Sequence, residues 1–192
     1  MDALAPFVKI LEEGGIVACP TETWLGLLAD ARNFEAVRRV SELKGRPHEM
    51  PIALLLPNAS AVSELAESCS DAAQSLMRAH WPGPLTILLR AKPGLSPGLV
   101  KDGKVGVRVP GSSPAAELVR AFGHPLTATS ANLSGQPPLR SIDELPPGMV
   151  RGLGGMVPGV APGGPPSTLI DATTTPMKVL RRGATEVDDA AL

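Results

Sequence analysis

The spacing of apolar positions changes several times along the chain, and each change predicts an element. From Leu4 to Glu13 the period is helical and ends at Gly14-Gly15, so an amphipathic helix opens the chain. Ile16-Val17-Ala18-Cys19 is a short continuous apolar run of the kind a buried strand presents, and it stops at Pro20. Thr21-Glu22-Thr23 follows. A polar stretch at a strand end, ahead of a helix, is where α/β folds place ligands, although a turn or helix cap accounts for the same residues. A second helix is predicted from Asn33, with Asn33 as N-cap, Glu35 in the first turn and Val37, Val40 and Leu43 as its apolar stripe. Gly45 suits the left-handed position past a helix, and Pro47 prevents continuation. Lys44-Gly45-Arg46-Pro47 therefore puts two cations at a helix end. Favourable pairing with the helix dipole explains them, and so does an anion site.

Further on, Ile52 to Leu56 and Leu85 to Leu89 read as buried strands, and Asn58 to Glu67 and Asp71 to His80 as helices, the second capped by Asp71. Trp81-Pro82-Gly83-Pro84 is a rigid turn, and Ala91 to Gly103 is a punctuated loop long enough to act as a mobile cover. Val105 to Val109 alternates and ends at Pro110, which places Arg108 on a solvated face or in a polar cavity. Ser113-Pro114 opens a helix that runs to Phe122. Leu126-Thr127-Ala128 enters Thr129-Ser130-Ala131-Asn132-Leu133-Ser134-Gly135, a second small-polar loop. Its backbone N–H groups suit an anion, and its composition equally suits a plain turn. Ser141 to Glu144 is a capping box, Pro146 to Pro166 is loop-rich with one short strand near Met156, and Ser167 to Asp171 and Val179 to Arg181 are late strands. The tail 184–192 is expected to fray. Strands alternate with helices without a domain boundary or repeat, which implies one α/β domain with a mixed sheet.

Composition narrows the chemistry. The 192 residues carry 18 basic and 19 acidic side chains, so any anion site must be local rather than a global field. Aromatics at 3% without Tyr argue against a stacking platform for single strands. Two cysteines, Cys19 and Cys69, have no metal-like spacing and point to a reducing, cytoplasmic setting. No signal peptide and no apolar run of about 18 residues is present, so no membrane span is expected. The phosphate-binding glycine motifs are missing, and His48, His80 and His124 are scattered beside turns. What remains is Lys44, Arg46, Arg108 and Arg181, with hydroxyls and an amide at strand ends. Such a set can bind a triphosphate and stabilise moving phosphate charge, and an anion-binding module would look the same.

Five stretches, in order, resemble the YrdC/TsaC family, the threonylcarbamoyl-AMP synthases: Pro20 to Gly26, Lys44 to Pro47, Trp81 to Thr86, Val105 to Pro110 and Thr129 to Gly135. Ser167-Thr168, Asp171 and Arg181 resemble its closing motifs, so the likeness runs from about residue 5 to 183 and matches the short, single-domain form. The resemblance implies one YrdC-like domain over 1–192: a twisted mixed β-sheet with flanking helices around a large concave, positively charged cavity. It implies that L-threonine, bicarbonate (or CO2) and ATP give threonylcarbamoyl-adenylate and pyrophosphate, for modification of adenosine 37 of tRNA. Mg²⁺ would be held mainly by ATP phosphates, with no protein metal site. A TsaD-type transferase complex would be the downstream partner, with possible RNA contact. Lys44 and Arg46 would be catalytic; Lys44, Arg46, Ser130, Asn132, Ser141 and Arg181 would bind ATP; Thr23, Arg108, Ser130 and Ser167 would bind threonine. Trp24, Met50, Leu55 and Lys104 depart from the family's usual residues. The alternative is a non-catalytic RNA- or nucleotide-binding module of the same fold.

Overall fold

The computed structural model describes residues 3–46 and 50–188, so the predicted helix stop at Pro47, and His48, lie outside the described residues. The chain begins with α1 (Ala5–Glu12), β1 (Val17–Pro20), β2 (Leu25–Leu28), α2 (Phe34–Leu43), β3 (Ala53–Leu55), α3 (Val62–Leu65) and α4 (Asp71–His80). It continues with β4 (Leu85–Arg90), β5 (Val100–Lys101), β6 (Lys104–Arg108), α5 (Pro114–Phe122) and β7 (Leu126–Ser130). It closes with α6 (Pro147–Val150), β8 (Gly155–Met156), β9 (Thr168–Asp171) and β10 (Lys178–Arg181). No described helix is long and apolar enough to cross a membrane.

The strands form one mixed sheet in the order β10-β9-β4-β6-β3-β7-β2-β1-β8, with β5 on β6. Pairs β1·β8, β3·β6 and β4·β9 are parallel and the others antiparallel. Because side chains alternate along a strand, neighbouring residues feed opposite faces. Leu54, Ile87 and Val107 enter one core, covered by Val37 and Val40 of α2 and Leu76 of α4. Val17, Cys19 and Leu55 enter a second core, covered by Leu11 of α1 and Leu118 and Val119 of α5. The α1/α5 layer packs over β1, β2, β3 and β7 but leaves β4, β6 and β9 bare on that face. The cavity opens there: Thr86 and Leu88, Lys104, Gly106 and Arg108, and Leu169 and Asp171 line it at every second position.

Several expectations needed correction. Thr21-Glu22-Thr23 does not precede a helix. It is the turn of a hairpin in which Pro20 pairs with Leu25, and β2 was hidden because its apolar residues merge with the run that follows. The helix expected over 58–67 shrinks to a 3-10 turn at Ala59–Ala61 and the single turn of α3. Helix α4 is capped by Ser70, whose Oγ accepts from the Ala73 N–H at 3.2 Å; Asp71 is its first residue. The stretch 91–103 is stitched down. Ile52 N–H donates to the Gly98 carbonyl at 2.8 Å, Leu99 is wholly buried, and β5 pairs with β6 through a turn at Asp102 (φ 52°) and Gly103 (φ 70°). The tail is held as far as it is described: Ala184 N–H donates to the Pro166 carbonyl, Thr168 Oγ1 to the Thr185 carbonyl, and Val187 is buried.

Candidate active site

One wall of the cavity is built by the end of α2. Asn33 Oδ1 accepts the Ala36 N–H at the helix start. At its end, the Gly45 N–H donates to the Glu42 carbonyl and the Arg46 N–H to the Ser41 carbonyl, with Gly45 left-handed at φ 57°. This is a Schellman closure, and it turns Lys44 and Arg46 toward the loop after β7. Lys44 is only 3% exposed. Its Nζ donates to the Ser130 carbonyl, to the Asn132 carbonyl at 2.8 Å and to Asn132 Oδ1 at 3.3 Å. In return the Ser134 N–H donates to the Lys44 carbonyl at 2.9 Å. Burial, and then the charge of Arg46, lower the Lys44 pKa to about 8. Lys44 thus stands behind the wall, gripping the loop, and is not among the residues that line the cavity.

Arg46 does line it. Its Nη1 donates to Thr129 Oγ1 at 3.3 Å and its Nη2 to the Pro51 carbonyl at 3.0 Å, while its buried Nε has no partner among the described residues. Burial lowers its pKa. Ser130 and Asn132 are on the same wall; Ser130 Oγ donates to Asn132 Oδ1, and Asn132 Nδ2 donates to the Gln136 carbonyl at 2.6 Å.

A second wall gathers Thr23, Thr86, Arg108, Ser167 and Arg181. The turn that carries Thr23 is fixed by Thr21, whose Oγ1 donates to the Trp24 carbonyl at 2.7 Å and accepts the Thr23 and Trp24 N–H groups at 3.1 Å. Arg108 ends β6 and is 7% exposed. Its Nη1 lies 3.3 Å from Glu22 Oε1, and its Nε has no partner among the described residues. Burial lowers the Arg108 pKa, Glu22 opposes this, and Arg181 adds to it. Arg181 donates from Nε and Nη2 to the Ser167 carbonyl at 3.1 and 2.9 Å, and Ser167 Oγ lies 3.0 Å from Thr86 Oγ1. At the far end of β6, Lys104 Nζ donates to Asp171 Oδ2 at 2.6 Å; Asp171 Oδ1 accepts the Thr173 N–H at 2.9 Å and hydroxyl at 2.6 Å.

The cavity holds about 870 Å³, and its floor includes Gly106, where a Cβ would come within 3.1 Å of Leu88. Of the predicted site residues, Thr23, Arg46, Arg108, Ser130, Asn132, Ser167 and Arg181 share this cavity. Ser141 does not line it: its hydroxyl accepts the Asp143 N–H at 3.2 Å in the capping box that the sequence foretold. Sequence reasoning did not single out Thr86 or Gln136 as site residues. Thr86 had a signal, as a polar position inside the apolar run Leu85 to Leu89 of β4. Cys19 is wholly buried on β1, and burial and Glu117 push its pKa up to about 12.

A family model, Sua5_yciO_yrdC, described as telomere recombination, matches residues 9–183. The chain belongs to the Sua5/YciO/YrdC family. It is 36% identical over 172 residues to the threonylcarbamoyl-AMP synthase of Bacillus subtilis, covering 88% of this chain and 49% of that protein. It is 37% identical over 155 residues to that of Stenotrophomonas maltophilia, covering 79% of this chain and 83% of that protein. Among solved structures, Sua5 of Pyrococcus abyssi complexed with L-threonine superposes with a TM-score of 0.84 at 32% identity, covering 94% of this chain and 54% of that one. This family chain thus spans about half the length of the Bacillus subtilis and Pyrococcus abyssi relatives.

Proposed function

We propose that this chain is an L-threonylcarbamoyladenylate synthase, a nucleotidyltransferase that converts L-threonine, bicarbonate or CO2, and ATP to threonylcarbamoyl-AMP and pyrophosphate. The observation that carries the reading is one continuous cavity with Arg46, Ser130 and Asn132 on one wall and Thr23, Arg108, Ser167 and Arg181 on the other. The names of the relatives add support, and so does the threonine complex of the Pyrococcus abyssi protein.

In this reading Arg46 and Asn132 contact ATP, and Lys44 acts on the nucleotide through the loop it grips. Arg108 takes the threonine carboxylate, a planar pairing that guanidinium geometry suits. The threonine ammonium gives one proton to water and the neutral amine attacks CO2: the N–C bond forms, an oxygen takes the π pair, and nitrogen passes a second proton to water. The carbamate oxygen then bonds to the α-phosphorus as the bond to the pyrophosphate oxygen breaks. No protein nucleophile is needed, because positioning and fixed positive charge supply the acceleration. In the same reading Mg²⁺ would be held mainly through the phosphate oxygens of ATP. The product would serve threonylcarbamoylation of tRNA adenosine 37 through a TsaD-type transferase in the cytoplasm, with RNA contact at that handover.

The test is pyrophosphate release. Release that requires threonine, bicarbonate and ATP together supports the reading. Release from ATP alone, or none from folded protein, contradicts it.

A further inference from the structure

Glu22 is a buried carboxylate beside the cavity-lining Arg108. Its side chain is 10% exposed, and among the described residues neither carboxylate oxygen has a hydrogen-bond partner, each being buried from solvent. A buried charge without hydrogen bonds is expensive, and folds retain one where its charge is used. The turn fixed by Thr21 sets the Glu22 backbone, and the side chain packs near Gly111, where a Cβ would stand 3.5 Å from Glu22 Cγ. One charged group answers it: Arg108 Nη1, at 3.3 Å. Arg108 lines the cavity and Glu22 does not, so the carboxylate stands behind the guanidinium. The contact is an ion pair that does not meet hydrogen-bond geometry, and Arg108 Nε has no partner among the described residues. Arg181 adds a second cation to the same end.

We infer that Glu22 sets the charge selectivity of this end of the cavity, making it prefer a zwitterion to a plain carboxylate anion. The inference rests on the proposed reading of this end as the amino-acid site. Without Glu22, two guanidiniums attract any anion and repel an ammonium. With it, the pull on a lone carboxylate falls, and a ligand that carries an ammonium beside its carboxylate gains from the negative charge behind Arg108. Glu22 acts through this field and touches no substrate, so it is a positioning and selectivity residue.

The experiment compares L-threonine with 3-hydroxybutanoate, which is threonine without its ammonium, by calorimetry and by displacement of labelled threonine. It uses the whole chain as wild type, Glu22→Gln and Glu22→Asp. In Glu22→Gln the ratio of dissociation constants, 3-hydroxybutanoate over threonine, is expected to fall about fivefold or more, while Glu22→Asp keeps it within about twofold. A purely structural role would weaken both ligands alike. A smaller fall in Glu22→Gln overturns the inference, as does 3-hydroxybutanoate that binds neither protein measurably. If Glu22→Gln does not fold, Glu22→Ala takes its place. On the wild type alone, 3-hydroxybutanoate binding as tightly as threonine also overturns it. A wild type that binds no threonine, with or without ATP, removes the amino-acid reading itself, an outcome distinct from an unchanged ratio.

Discussion

The ammonium of Lys44 donates to the carbonyl of Asn132 across 2.8 Å, tying the end of α2 to the loop after β7. That bond makes this wall of the cavity one unit. Arg46, two residues on, reaches Thr129 on the same loop. Lys44 thereby shapes the surface without forming part of it.

The pH dependence of stability follows from that burial. The Lys44 pKa falls from 10.5 to about 8 in the fold, so the charged form is disfavoured there. The unfolded chain therefore binds more protons between these two values, and this group's contribution rises with pH across that window. Its penalty is complete below it. The gap in unfolding free energy between wild type and Lys44→Met should move in favour of the wild type from about pH 7.5 to about pH 10. Urea unfolding at several pH values measures it; a gap constant with pH contradicts the burial argument.

The two walls should separate in binding. Arg108→Ala should weaken threonine on the order of tenfold or more and leave ATP within about threefold, and Arg46→Ala should do the reverse. Calorimetry with each ligand on each variant decides it. Loss of ATP affinity alone in Arg108→Ala would mean the walls are assigned the wrong way round.

Thr127 is a structural counterpart to these residues. It is wholly buried on β7, its Oγ1 accepting the Ala29 N–H at 2.9 Å and donating to the Leu27 carbonyl at 3.1 Å. Thr127→Val keeps the shape and removes the hydroxyl that accepts the Ala29 N–H, so it should cost about 1–3 kcal/mol in denaturant unfolding. Thr127→Ser, which keeps the hydroxyl, should cost less. Equal costs would assign the loss to packing.

Much of this architecture is legible in the sequence. The helix starts at Asn33 and Ser113, the left-handed glycine at 45, and most of the buried strands follow from local chemistry that tertiary contacts do not override. What escaped was non-local. β2 is identified by its pairing with β1 and β7, and its Leu-Gly-Leu-Leu run carries no alternation to reveal it. The looseness expected of 91–103 is overruled by one backbone bond to Ile52 and by pairing with β6. Within the site, the sequence indicated the residue types but not their orientation. For Arg108 the cost of an unpaired buried arginine left a solvated face and a polar cavity both open, and the fold selects the cavity. That Lys44 faces backbone carbonyls, and that Glu22 stands behind Arg108, depends on how distant strands meet.

The central claim is that one cavity joins threonine, CO2 and the adenylate. Incubation with ¹³C-bicarbonate, L-threonine and ATP, followed by carbon NMR and mass analysis of the nucleotide fraction, tests it most directly. The account predicts the label in a carbamoyl carbon bonded to the threonine nitrogen and, through oxygen, to AMP, with loss of that species in Arg46→Ala and Arg108→Ala. A folded, nucleotide-binding wild-type protein that yields no labelled adenylate would contradict it.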